Sequence, residues 1–265
     1  MFKLAAQMYT VREFTQTPRD IAESCRKVKA MGYDGIQISG FGPIDRKEMK
    51  AILNGEGLEC VATHYSLDKI EKDFDNFIED HLLWNCPNPA IGGFFPPLAE
   101  FNQATWDAFI ARFNRLARKV ADAKAGMRLG YHNHCHEFAA IDGVMPYSRL
   151  LRELDPATTW FEIDVYWAAF SGVDPSGLIR KAAHRIPVIH FKDLKLEFAP
   201  DAPSMIEPQR KITEVGDGNL SWPDIINACR YAGTRWLAVE RDNGDLPPFE
   251  SLQRSIDNLR CRMGL

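Results

Sequence analysis

Several features that would assign a chain at once are missing here. None of the six cysteines, at positions 25, 60, 86, 135, 229 and 261, stands in a CxxC pair. That excludes a zinc ribbon and a dense disulfide framework, and it fits a reduced, cytoplasmic protein. No apolar run approaches the roughly 20 residues of a membrane span, and the N-terminus does not have the basic-then-apolar layout of a signal peptide. Positive charge is not in excess: 32 Lys and Arg against 36 Asp and Glu leave a net charge of −4. Neither nucleic acid nor a membrane surface is therefore an expected partner. The turn after the first candidate strand, Tyr9-Thr10-Val11-Arg12-Glu13, has no glycine, which speaks against a dinucleotide cradle.

What is present is a repeated strand-then-helix alternation over 265 residues. Apolar runs predict strands at 3–9, 36–38, 58–64, 90–94, 126–130, 159–164, 187–192 and 236–240. Helical periodicity falls between them, clearest from Thr105 to Ala125, where Trp106, Phe109, Ile110, Phe113, Leu116, Ala117 and Val120 recur at spacings of three and four. Thr17-Pro18 caps one helix from about Arg19 to Ala30, and Ser221-Trp222-Pro223 caps another. The stretch 193–214 shows no period and reads as a long excursion. Eight such units in one chain predict a single-domain (β/α)8 TIM barrel over residues 1–265. A doubly wound sheet needs fewer units.

The chemistry-bearing residues gather at strand ends, where parallel barrels bind ligands. Tyr131-His132-Asn133-His134-Cys135-His136-Glu137 places three of the seven histidines within five residues. Three later strands end on Asp164, His190 and Glu240. Strand alternation turns Asp164 and Glu162 inward together, His190 with Lys192, and Glu240 opposite the outward Leu237 and Val239. Taken singly, each acid serves equally well as a loop cap or ion-pair partner. Taken together, Glu137, Asp164, His190 and Glu240 form a hard, oxygen-rich set suited to Mn2+, Mg2+ or Co2+, with Zn2+ also admissible. Glu162, deep in the barrel, must be paired or protonated. Lys192 is expected either to support an oxyanion or to pair with Asp193 or another acid. Trp167 is placed to stack on a sugar ring or simply to pack, and His64 and His134 to bond sugar hydroxyls.

The series Tyr131-His-Asn-His-Cys-His-Glu-Phe138, Asp164-Val-Tyr-Trp167, His190-Phe-Lys-Asp193 and terminal Glu240 resembles the xylose-isomerase-like sugar phosphate isomerase/epimerase superfamily. Gln7 to Glu13, Gly32 to Gln37 and Gly216-Asp-Gly218 extend the resemblance over nearly the whole chain. It implies a TIM barrel with one divalent metal held by Glu137, Asp164, His190 and Glu240. By the same resemblance Glu137 and Glu240 act also as acid/base groups; Lys192, expected to point inward one step beyond His190, is the further catalytic candidate. Gln37 stands where many members carry a glutamate. The expected function is a metal-dependent isomerase or epimerase of a keto-sugar, polyol or related small carbohydrate through an enediolate. A lyase of the inosose dehydratase type is the alternative, a non-enzymatic sugar-binding barrel a remoter one, and a homo-oligomer is compatible with either. The abasic-site endonuclease branch is disfavoured, because its three zinc ions need more ligands than the strand ends offer.

Overall fold

The computed structural model describes residues 2–123, 126–199, 204–206 and 208–265. Seven parallel strands come first: Lys3–Gln7 (β1), Gly35–Ile38 (β2), Glu59–Tyr65 (β3), Pro89–Ile91 (β4), Leu129–His132 (β5), Thr159–Glu162 (β6) and Val188–Phe191 (β7). An antiparallel hairpin follows, Asp193–Glu197 (β8) with Gln209–Thr213 (β9), and Trp236–Val239 (β10) supplies the eighth barrel strand. The hydrogen-bonded order β6-β5-β4-β3-β2-β1-β10-β7 makes a nearly closed TIM barrel, with helices outside. The remaining seam, between β6 and β7, is drawn together by one bridge between Asp164 and His190. Among the described residues, no helix is long and apolar enough to cross a membrane.

Alternation along the strands sorts the core into two layers. Leu4, Ile36, Leu129, Tyr131, Phe161, Ile189, Phe191 and Leu237 face the helices in one large cluster. Inside the barrel, Ala5, Ala62, Ala90 and Ala238 leave room for Val61, Val188 and the indoles of Trp160 and Trp236. Gly130 is part of that fit, because a Cβ there would lie 2.3 Å from the Trp160 ring. The Trp160 indole N–H donates to the carbonyls of Arg128 at 3.0 Å and Pro89 at 3.2 Å, so its one polar atom is satisfied.

The elements depart from their sequence-based bounds in instructive places. The first strand stops at Gln7, where the Gln7 side chain accepts from the Tyr9 amide and starts a 3-10 turn over Met8–Phe14. The stretch after β3, helical in its sequence pattern over 68–83, forms two helices, Leu67–Lys72 and Phe74–Trp84, broken at Asp73. The long amphipathic helix is Gln103–Ala123, and its expected last residues, 124 and 125, lie outside the described residues. The fifth strand starts at Leu129 rather than 126 and continues to His132. The apparent excursion at 193–214 contains the β8–β9 hairpin.

That hairpin is rooted by a buried carboxylate. Asp193 accepts from the backbone amides of Leu194, Gly216, Gly218 and Leu220 and from the Trp222 indole N–H, at 2.7–3.3 Å. Gly218 is required there, since a Cβ would stand 2.3 Å from Asp193 Oδ1. The hairpin thus leaves and rejoins the barrel at one fixed point and forms one wall of the mouth.

Candidate active site

Strand direction delivers the polar residues to one place. His132 ends β5, Glu162 ends β6 and His190 lies in β7, while Asp164, Lys192 and Glu240 stand just past β6, β7 and β10. Donor atoms of His132, Asp164, His190 and Glu240 all lie within 4.8 Å of one another, and all four residues are buried. His190 Nδ1 is 3.0 Å from Glu240 Oε2, and its Nε2 is 3.0 Å from the Gln37 side-chain oxygen and 3.3 Å from Glu162. Glu162 also bonds His64 and accepts from the Gln37 amide at 3.0 Å. His64, Glu162 and His190 form a second, adjoining group. Asn133 locks Asp164 in place from the β5 loop, its side-chain oxygen accepting from the Asp164 amide at 3.0 Å. Asp164 in turn caps the short helix Val165–Phe170 and fixes Trp167 through its backbone N–H at 3.0 Å.

Lys192 sits at the centre of the carboxylates. Its ammonium is 2.8 Å from Glu240, 2.9 Å from Asp164 and 2.9 Å from Asp242, and it does not pair with Asp193. Burial disfavours this charge, yet the three acids outweigh burial and hold the lysine pKa well above its ordinary value. Burial would likewise raise Asp164 and Glu240, but Lys192 beside them keeps both below the usual carboxylate range. Burial opposes protonation of His190 too, and Glu162 and Glu240 overcome it, raising that imidazole to about 10. Asp242 goes the other way: burial and the Glu240 charge push it up.

The donor set suits a divalent cation. Four carboxylates, Glu162, Asp164, Glu240 and Asp242, face one ammonium, Lys192, and three imidazoles, His64, His132 and His190. His132 Nε2 is buried with no hydrogen-bond partner, 3.4 Å from Asp164 Oδ2, and so keeps a lone pair available at the cluster. Imidazole and carboxylate donors together fit Mn2+, Co2+ or Zn2+.

Of the ligands expected from the sequence, Asp164, His190 and Glu240 converge, but with His132 as the fourth member and not Glu137. After β5 the chain enters a 3-10 turn, His136–Phe138, which folds Glu137 back beneath the loop. There the fully buried carboxylate accepts from the Tyr131 hydroxyl at 2.7 Å and the His134 amide at 2.9 Å. Tyr131 faces the helix layer, so Glu137 is drawn to that side. His132 was within reach of the parity argument: with apolar Tyr131 outward, His132 must point in. Gln37 and Asn133 carry no such signal, since a neutral amide at a strand end has many other uses.

A cavity of about 1090 Å3 opens over the cluster. Glu240 and Asp242 line it, as do His64, His134 and Trp167, the three residues expected to meet a sugar. His134, desolvated by burial and lying next to His132, has its pKa lowered to about 2 and is neutral at working pH. Its ring centroid lies 5.5 Å from that of Trp167, so the two form one wall. Arg210, Lys211 and Ile212 of the hairpin continue that wall, with Ile212 packed on Tyr166 and Arg210 donating to the Phe170 carbonyl at 3.0 Å.

Comparison with known proteins bears on the family and the fold. An inosose dehydratase of Geobacillus thermodenitrificans is 26% identical over 92% of this chain and 90% of its own. The rhizopine catabolism protein MocC of Rhizobium meliloti is 25% identical over 89% of this chain and 80% of its own. A sugar phosphate isomerase/epimerase structure from Parabacteroides distasonis superposes with a TM-score of 0.79 at 21% identity, covering 98% and 94% of the two chains. The 3-DHS dehydratase AsbF of Bacillus anthracis does so at 0.72 and 14%, over 97% and 98%; both likenesses speak for the fold. The family model described as a xylose isomerase-like TIM barrel matches residues 25–261, and the chain belongs to that family.

Proposed function

We propose that the protein is a metal-dependent dehydratase of a cyclic polyhydroxylated ketone, of the inosose type. The observation that carries this reading is the buried His132–Asp164–His190–Glu240 group wrapped around Lys192 at the base of a polar cavity. The likeness to proteins named inosose dehydratase, over most of both chains, supports the lyase reading more than the isomerase or epimerase expected from the sequence. Both reactions start by removing a proton from the carbon next to a carbonyl, and they differ in whether a β-hydroxyl then leaves.

His132, Asp164, His190 and Glu240 would hold the cation, which when bound supplies a Lewis acid for a carbonyl or hydroxyl oxygen. Lys192, fixed by three acids, presents a preorganised positive charge to the oxyanion that develops as the proton is removed. Glu240 and Asp242 are the carboxylates of the cluster that line the cavity and can take that proton. The electrons of the broken C–H bond form the new C=C bond, the C–O bond to the β-hydroxyl breaks, and the leaving oxygen takes up a proton to depart as water. Glu137, buried under its loop and bonded to the Tyr131 hydroxyl, is given no part in this proton transfer. Neutral His134 bonds substrate hydroxyls in either direction, and Trp167 closes the wall.

The test is incubation with Mn2+ and a panel of inososes and ketoses in D2O. Loss of water with a new ultraviolet absorbance from a conjugated ketone is expected. Deuterium uptake next to the carbonyl without that absorbance would favour the isomerase, and neither signal with metal bound would sink both.

A further inference from the structure

The cavity over the cluster does not end at His64. Ser39, His64, Tyr65 and Lys69 also line a second cavity of about 600 Å3, formed by the loop after β2 and the two helices after β3. Small-molecule sites commonly span about 300–1,000 Å3, so this lobe is by itself large enough to hold a ring. Its lining is built in two tiers. Half-buried Phe41 and Ile44, with the edges of Phe77 and Trp84, give an apolar floor, while Asp45, Asp73 and Asn76 stand exposed at the rim. The Trp84 indole N–H is already bonded to the Arg46 carbonyl, so the floor offers only its carbon surface.

The charge of the lobe narrows what it can take. Arg46 is neutralised by Glu79 and Asp80, the latter 2.8 Å from its Nε. That leaves Asp45 and Asp73 against Lys69, whose ammonium lies 4.6 Å from the centre of the Tyr65 ring. The excess of carboxylates disfavours a phosphate or carboxylate group. Asn76 is already bonded to Arg46 and donates to Asp73 at 2.7 Å, so the rim's acceptors are the Asp45 and Asp73 carboxylates. An apolar floor beneath them matches a ring with C–H groups on one face and hydroxyl donors at its edge.

We propose that the second lobe seats a neutral sugar ring, so that the substrate is a polyhydroxylated ketone carrying a glycosyl substituent. This rests on the proposed reaction for the identity of the first ring, and its test measures binding rather than turnover so that the two can fail separately. The reacting ring lies over Lys192 and Glu240, and the substituent passes His64 and Tyr65 into the lobe.

Three non-reacting probes decide it on the Mn2+-loaded protein by calorimetry: inositol, a galactosyl-inositol and an inositol monophosphate. The galactosyl-inositol should bind about tenfold or more tighter than inositol, and the phosphate no tighter than inositol. Asn76→Trp, at an exposed position far from the cluster, should fill the lobe and abolish the preference while leaving inositol binding unchanged. As a second readout on the wild type, the Asn76 side-chain amide resonance should move with the galactosyl-inositol and not with inositol. Equal affinities, no binding by either neutral probe, a preference that survives Asn76→Trp, or an unmoved Asn76 resonance would each overturn the proposal. Dehydration of a free inosose without any such preference would leave the reaction standing and remove only the second ring.

Discussion

His132 and Glu137 leave the same strand, and the turn between them sends one to the cluster and the other under the loop. Their variants should therefore separate cleanly. His132→Ala removes a donor atom, and Mn2+ affinity is expected to fall by at least the ~10–100-fold that losing even an outer-shell partner costs. Glu137→Gln keeps an oxygen to accept from the His134 amide and turns an N–H donor towards the Tyr131 hydroxyl oxygen, so metal content should stay near wild type. Elemental analysis after dialysis checks both, and a metal-free Glu137→Gln protein would restore Glu137 as a ligand. Lys192→Met takes a positive charge from between Asp164, Glu240 and Asp242. Turnover should drop by ~10²-fold, while metal affinity should hold or rise, because the carboxylates lose a competing cation. Unchanged turnover would reduce Lys192 to a structural ion pair. The strand ends Asp164, His190 and Glu240 were legible because apolar residues alternate with them; Glu137 misled because a loop obeys no such parity.

Elements were legible where one face is apolar and obscure where tertiary contacts set the structure. Gln103–Ala123 shows its buried stripe openly. The β8–β9 hairpin hides because Lys195, Glu197 and Lys211 are solvated, while Leu194 and Ile212 pack in a small cluster with Tyr166, Trp167, Phe170 and Leu220, and Asp193 gathers amides from 23 to 27 residues away. The helix Phe74–Trp84 is tied to β3 by His81, whose Nδ1 donates to the Phe77 carbonyl at 2.6 Å. In that tautomer its Nε2 accepts from the Thr63 hydroxyl at 2.7 Å. Burial lowers this imidazole from 6.5 to about 4. Between those values the unfolded chain binds the extra proton, so stability falls as pH drops from 6.5 towards 4 and the loss is complete below 4. The gap corresponds to about 3 kcal/mol. Urea unfolding at pH 7 and pH 4.5 should show a smaller acid loss for His81→Gln than for the wild type, even if the variant starts less stable. Equal losses would mean that His81 is not the group that titrates.

At the scale of the whole barrel, the candidate ligands straddle the one place where the ring is not fully hydrogen-bonded. Six neighbouring strand pairs between β6 and β10, and the β10–β7 pair, have hydrogen-bonded ladders, with one register shift between β2 and β3, whereas the β6–β7 side carries a single bridge, Asp164–His190. The backbone bonds across that seam run from the His190 amide to the Ile163 carbonyl at 2.9 Å, and from the Phe161 amide to the Arg185 carbonyl at 2.8 Å. Asp164 stands on one side and His190 on the other, so a cation bound by both joins the two ends of the sheet. Anything that binds the folded chain alone stabilises it, by about 2.7 kcal/mol at a hundred times Kd, which in a chain of this size amounts to a rise in Tm of several degrees. Chelation should therefore lower Tm by a comparable amount. The seam adds a spatial signature that mass action alone does not give. Hydrogen exchange at the His190 and Phe161 amides should slow on Mn2+ binding more than exchange in β2 or β3, on the far side of the barrel. Asp164→Asn, which weakens one side of the grip, should abolish the Tm shift and the extra protection together. A Tm rise with uniform protection around the ring would mean that the metal stabilises the barrel without closing it.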